Sequence, residues 1–141
     1  MKIHTLGYSG WKIEDVEAVL ERLDAILVDV RMVPRTRWTP LWNGQALRTR
    51  LGDRYVWLRE FGNVNFKGTF EQIKIADFPA GEKRLRELIA TGKAVVLMCG
   101  CRDVNVCHRK VVAERLASAL HAEVEHLSPP AREVAQEPTL F

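Results

Sequence analysis

Ala94-Val95-Val96-Leu97-Met98 runs straight into Cys99-Gly100-Cys101-Arg102-Asp103-Val104-Asn105-Val106-Cys107-His108-Arg109, and a helical pattern from Val111 to Leu120 leads out again. A short, wholly apolar run reads as a strand covered on both faces. A strand that passes through a loop of reactive side chains into a helix is the repeating unit of an α/β fold. At that junction free backbone N–H groups and the helix dipole both favour an anion. They also lower the pKa of a cysteine in the first helical turn. With Asn105 as N-cap, Cys107 falls in that turn.

The same alternation extends toward the N-terminus. Lys2–Leu6 reads as a first strand, followed by the turn Gly7-Tyr8-Ser9-Gly10. Ile13, Val16, Leu20 and Leu23 form an apolar stripe at helical spacing over Ile13–Leu23, with Lys12 a poor cap before it. Ala25–Val30 reads as the second strand, and Val33-Pro34 and Thr39-Pro40 break regular structure after it. A short helix is expected from Asn43 to Leu51 and a third strand over Arg54–Leu58. Glu60 to Phe78 reads as a long loop with one helical turn from Phe70. Pro79-Ala80-Gly81 then opens a helix that Thr91-Gly92-Lys93 stops, and Glu123–Leu127 is the fifth strand.

Strands separated by helices predict a three-layer α/β fold: a mostly parallel five-stranded sheet with helices on both faces. Residues 1–128 make a single domain in this reading, and 129–141 a flexible C-terminal tail. Ligands of such sheets bind beyond the carboxyl ends of the strands. Ser9, Asp29, Arg31, Cys99 and Cys107 are therefore expected on one rim.

The chain has 141 residues and three cysteines, all within the one segment. An odd, clustered count argues for thiol or metal chemistry in a reducing compartment rather than a disulfide framework. No apolar run approaches a membrane span, and Met1-Lys2-Ile3-His4-Thr5-Leu6 is unlike a leader, so a cytoplasmic location is expected. The net charge of +3 does not by itself imply nucleic acid. Its distribution is more telling: Arg31, Arg35, Arg37, Arg48, Arg50 and Arg54 fall in a stretch whose only acid is Asp53. The guanidinium fork suits phosphate or carboxylate.

These residues compose a site for a phosphate-bearing ligand, a nucleotide or nucleic acid. Cys107 is the expected nucleophile, assisted by His108 or Asp29. Ser9, Arg31, Arg35, Arg37, Cys99 and Arg109 are the expected ligand-binding residues. The plainer alternatives are cysteines packed like small apolar residues, an internal Asp29–Arg31 ion pair, with Asp29 otherwise free to act as a base or to hold a metal with Glu60, and a solvated basic loop. No metal and no cofactor is expected: the adjacent Cys107 and His108 diverge by about 100° on a helix, and paired ligand knuckles are missing. A second function class is a non-catalytic nucleic-acid module, in which Trp38, Trp42 and Trp57, interleaved with arginines, stack on bases. Its partner would be recruited by Gln136–Phe141, which resembles peptides that dock on the bacterial sliding clamp.

Gly7-Tyr8-Ser9, Val28-Asp29-Val30-Arg31 with Pro34-Arg35-Thr36-Arg37, and Leu97-Met98-Cys99 through Cys107-His108-Arg109 resemble the bacterial and archaeal domain-of-unknown-function family 488. Tyr55 and Leu58-Arg59-Glu60-Phe61-Gly62 are similar to a further block of that family. The resemblance covers about residues 1–127. It implies the α/β fold and the location of the site, and no reaction. Tyr8 stands where the family usually has His, and Cys101 where it often has Glu. The Asp-Val-Arg strand end and the cysteine loop also resemble rhodanese domains, by analogy of fold.

Overall fold

The computed structural model describes residues 1–68, 72–101 and 103–131. The strands are β1 (Lys2–Gly7), β2 (Ala25–Asp29), β3 (Tyr55–Trp57), β4 (Ala94–Cys99) and β5 (Glu123–His126). The helices are α1 (Ile13–Leu23), α2 (Gly44–Leu51), α3 (Phe78–Ile89) and α4 (His108–Leu120). The strands form one five-stranded sheet in the order β3-β2-β4-β1-β5. Every pairing is parallel, with Leu27 beside Val96 and Leu6 beside Met98.

Period-two alternation divides the core between the two faces of the sheet. Ile26, Val28, Val95, Leu97 and Cys99 pack with Leu85 of α3 and Val112 and Leu116 of α4. Leu27, Val96 and Met98 pack on the other side with Val16 and Leu20 of α1 and Leu47 of α2. The chain is thus a three-layer α/β protein, as the alternating apolar pattern predicts. Among the described residues no helix is long and apolar enough to cross a membrane.

The largest departures lie at element ends. Asn105 does not cap the last helix: it sits in a 3-10 turn over Val104–Val106, and the N-cap is Cys107. Asp103 is the reason. Its side chain accepts the Asn105 N–H and starts the 3-10 turn, which displaces the helix start by two residues. At the other end His121, at a left-handed φ of 55°, closes α4. Lys12 caps α1 without a side-chain bond, and Asp24 closes it in the left-handed region. The helical turn expected from Phe70 and the peptide Gln136–Phe141 lie outside the described residues.

The segment after β3 is irregular but tied. Asn63 pairs antiparallel with Ile75. The Asn63 Oδ1 accepts the Asn65 and Lys74 N–H groups, each at 3.0 Å. Phe61 then leads into the core, where its ring lies on α3 at Gly81. A Cβ at Gly81 would stand 2.5 Å from the Phe61 ring. Alanine is the better helix former by about 1 kcal/mol. Even so, Gly81→Ala is expected to destabilise the protein by about 1–3 kcal/mol through overpacking. Chemical denaturation reads the sign directly, and a stabilised variant would contradict this packing.

Candidate functional site

β4 lies between β1 and β2, so the carboxyl ends of the three strands are neighbours. The Tyr8 N–H donates to the Cys99 carbonyl at 2.9 Å and the Val30 N–H to the Met98 carbonyl at 3.0 Å. Two charged systems are built on this rim.

The first belongs to Asp29 and Arg31. Asp29 is 0% exposed. Its Oδ1 accepts the backbone N–H and the Nε of Arg31, at 3.1 and 2.8 Å. Its Oδ2 accepts Arg31 Nη2 at 2.7 Å and the Tyr55 hydroxyl at 2.6 Å. Arg31 Nη2 also donates to the Trp42 carbonyl at 2.6 Å. Tyr8 stacks on Trp42 with ring centroids 4.9 Å apart, and the Arg31 guanidinium lies 5.4 Å from the Tyr8 centroid. Burial opposes the charge of Arg31, but the bonds to Asp29 outweigh it and hold its pKa above the ordinary value. Burial and the neighbouring Asp29 carboxylate push the Tyr55 hydroxyl up.

Asp29 is engaged in an ion pair with Arg31 and does not join the cysteine cluster. Alternation places Asp29 on the α1–α2 side, with Leu27, whereas Cys99 points to the α4 side. The Asp29 side chain thus starts from the opposite face to Cys99, and its oxygens accept from Arg31 and Tyr55. The ion-pair alternative is the one observed. Glu60, once a conceivable partner for Asp29, instead meets Arg84 of α3 at 3.0 Å.

The second system is the sulfur cluster. The Sγ atoms of Cys99, Cys101 and Cys107 all lie within 4.8 Å of one another. Cys99 and Cys107 are buried and Cys101 is exposed. Arg109, in the first turn of α4, is only 2% exposed and reaches back under the loop. Its Nη1 donates to the Cys101 carbonyl at 2.6 Å and to Cys99 Sγ at 3.2 Å, and its Nε to Thr5 Oγ1 at 3.3 Å. A side chain at Gly7 would collide with the Cys101 carbonyl and the Arg109 fork, so the end of β1 must be bare for this approach. Ser9 Oγ donates to the Gly100 carbonyl at 2.8 Å and fastens the loop from the other side.

Among the described residues no carboxylate pairs with Arg109. A buried cation without a counter-charge is costly. Among the described residues, sulfur is the only hydrogen-bond partner of Arg109 that can ionise. The cluster therefore favours one thiolate at neutral pH. S–H donation from Cys107 and Cys99 to Cys101, more than any other cause, draws the Cys101 pKa down to about 3. The same interaction with Cys101 pushes Cys107 up to about 11, and burial pushes Cys99 well up. The negative charge belongs to the group, with Cys101 as its exposed member.

His108 completes the cluster. Its Nε2 lies 2.6 Å from the Val30 carbonyl, an acceptor, so the proton belongs on Nε2 and the other ring nitrogen is the free base. Burial lowers its pKa and keeps the ring neutral. Cys101, Cys99, Gly100, His108 and Arg31 line a half-enclosed hollow of about 250 Å³, walled by Met32, Val33, Phe66, Ile73 and Val106. Among the described residues Arg31 Nη1 donates no hydrogen bond, in contrast to Nε and Nη2.

The structure thus brings Cys99, Cys107, His108, Arg31 and Arg109 together and sets Ser9 at the outer edge of the loop. Arg35 and Arg37 are exposed and do not line the hollow. Arg35 borders a different groove with Pro34, Leu41 and Asn43. Cys101, the exposed thiol, was not among the expected site residues. The Cys-x-Cys spacing carried the signal: residues two apart in extended chain point the same way.

The family described as Domain of unknown function DUF488 matches residues 12–74 and 63–116. The chain belongs to this family. The matched region holds Asp29, Arg31 and all three cysteines, so the site of this DUF488 protein lies in the family's own part of the chain. No curated protein and no solved structure matches the chain.

Because the folded cluster carries a thiolate that the unfolded chain lacks at neutral pH, its contribution to stability rises with pH from about 3 toward the free-thiol value of about 8.5. Above that value the sign reverses. Cys99 and Cys107 then ionise in the unfolded chain before they do in the folded one. For reactivity, iodoacetamide is expected to modify Cys101 alone at pH 5–6, at a rate that barely changes up to pH 8. Peptide mass mapping locates the adduct. A Cys101 rate that climbs with a midpoint near 8.5 would remove the thiolate from the site.

Proposed function

We propose that the hollow binds a small phosphate-bearing molecule, a nucleotide in the first instance, and that the Cys101 thiolate is its reactive group. The observation that carries this reading is the buried Arg109 guanidinium, which has sulfur and no carboxylate beside it, directly under an exposed thiol. The free edge of Arg31 supplies an anion contact, and apolar walls including Phe66 and Ile73 suit a ring or an alkyl portion. Neutral His108 is placed to accept or return a proton. Cys101 takes over the nucleophile's part that the sequence assigns to Cys107, because Cys107 is buried beneath it.

A thermal-shift screen of mononucleotides tests this. A ligand at 100 times its Kd stabilises the native state by about 2.7 kcal/mol. The same ligand is expected to slow alkylation of Cys101 at least ~10-fold, which corresponds to about 1.4 kcal/mol of differential access. Cys101→Ser is expected to keep the thermal shift and to lose any turnover. A panel without a single shift, or a ligand that leaves Cys101 fully reactive, would set the reading aside.

The exposed loop supports the non-catalytic alternative. Trp38 is 84% exposed, and Arg35 and Arg37 beside it are exposed as well. A bare indole that follows two exposed arginines in the chain is suited to stacking on a single-stranded base. On this reading Trp38→Ala weakens binding of a short oligonucleotide by about 1–3 kcal/mol. Affinity also falls steeply with salt, while Cys101→Ser changes nothing. Fluorescence anisotropy at two salt concentrations separates the alternatives, and equal binding by Trp38→Ala removes this one.

A further inference from the structure

We propose that Cys99, Cys101 and Cys107 form a three-thiolate site for one divalent soft metal ion of the zinc class, with an open coordination position facing the hollow. The inference shares its sulfurs with the proposed function and stands on different observations. The three Sγ atoms come from a strand end, a loop and a helix N-cap, yet all lie within 4.8 Å of one another. Sulfurs around a tetrahedral zinc with Zn–S of about 2.3 Å stand about 3.8 Å apart. A closure of about 1 Å at most converts one arrangement into the other. Cys101, exposed and in a loop, can make it by side-chain rotation.

The sequence speaks against zinc by considering Cys107 with the adjacent His108. The structure supplies a different donor set, since the His108 ring turns to the Val30 carbonyl and leaves three sulfurs as the donors. Thiolate donors select soft ions over magnesium or calcium. Charge selects further. Three thiolates beside the single Arg109 guanidinium leave two negative charges, and a divalent ion neutralises them. A monovalent soft ion leaves one negative charge in a place where two of the three sulfurs are buried. The Arg109 Nη1 to Cys99 Sγ bond at 3.2 Å is the kind of outer contact that orients and steadies a metal thiolate. Three protein ligands with the fourth position toward a cavity is the arrangement of sites where zinc acts on a ligand, whereas structural sites are closed by a fourth side chain.

The full chain, reduced and stripped with chelator, is titrated with cobalt(II) as a spectroscopic probe and then with zinc. One equivalent is expected. Cobalt should give thiolate-to-metal charge transfer in the near ultraviolet and the intense visible bands of tetrahedral coordination, and zinc should displace it. One bound zinc should block alkylation of all three thiols. Cys101→Ser, a substitution at an exposed position that circular dichroism can show to be folded, should weaken zinc by more than the ~10–100-fold cost of losing an outer-shell partner. A cobalt spectrum without thiolate charge transfer overturns the proposal, and so does unchanged zinc affinity in folded Cys101→Ser. If metal binding fails while a mononucleotide still shifts the melting temperature, only the metal inference falls. If metal binds and no nucleotide does, only the proposed function falls.

Discussion

The guanidinium of Arg109, buried with sulfur and carbonyl oxygen for company, is the constraint around which the rim is organised. It reaches from the first turn of α4 to Thr5 on β1, to Cys99 at the end of β4 and to the Cys101 carbonyl in between. One side chain therefore fixes how the last helix lies across two strands and how the loop joining them folds back. The demands on its neighbours follow. Gly7 must be bare so that the Cys101 carbonyl can come down to the fork. Thr5 must offer a hydroxyl at a position otherwise suited to an aliphatic residue. At least one of the cysteines must be ready to carry charge, since among the described residues nothing else balances the arginine.

The sheet then divides the labour between two arginines. Arg31 has a carboxylate partner on the α1–α2 side, saturated by Tyr55 and closed over by Tyr8 and Trp42. That arrangement is rigid and internally neutral. It anchors the start of the loop that carries Arg35 and Arg37, helped by the Gly44 N–H to Pro34 carbonyl bond and the Thr36 N–H to Asn43 bond. Among the described residues Arg109 has sulfur and no carboxylate to balance its charge. A carboxylate beside it would make a second inert ion pair. Thiols leave a charge that can be alkylated, coordinated or drawn onto a ligand. The two arginines differ in the chemistry of the group that balances them and not in burial, which they share.

The framework was legible because its signals are local. The apolar runs Ala25–Val28 and Ala94–Met98, the stripe of α1 and the Gly92 stop all read correctly from short windows. That Asp29, Arg31 and the cysteines lie at the carboxyl ends of the strands followed from the alternation of strands and helices. The contacts these residues make did not follow, and the reasons are specific. Asp29 was counted with the cysteines, although its parity with Leu27 rather than Val28 already sets it on the opposite face. Cys107 was placed inside the helix because Asn105 is a good cap by type, but Asp103 captures that turn first. Arg109 was read as a ligand contact, and no local pattern announces that a long side chain turns inward to Thr5, 104 positions away.

On the function proposed for the hollow, chemistry and selectivity come from different parts of the chain. The sulfurs, His108 and Arg109 belong to one short segment between β4 and α4, held to a rigid sheet. The opposite wall, with Asn63, Phe66 and Ile73, belongs to the irregular stretch after β3, whose order depends on Asn63 and Asn65 side chains bonding the backbone of residues up to eleven positions on. The bond between Asn63 and Lys74 brackets Phe66 and Ile73, both of which line the hollow. Substitution at Phe66 or Ile73 therefore changes the shape offered to a ligand without disturbing the charge balance beneath it. Substitution at Arg109 does the reverse. A site built in this way can keep its reactive floor while its wall changes to suit a different molecule.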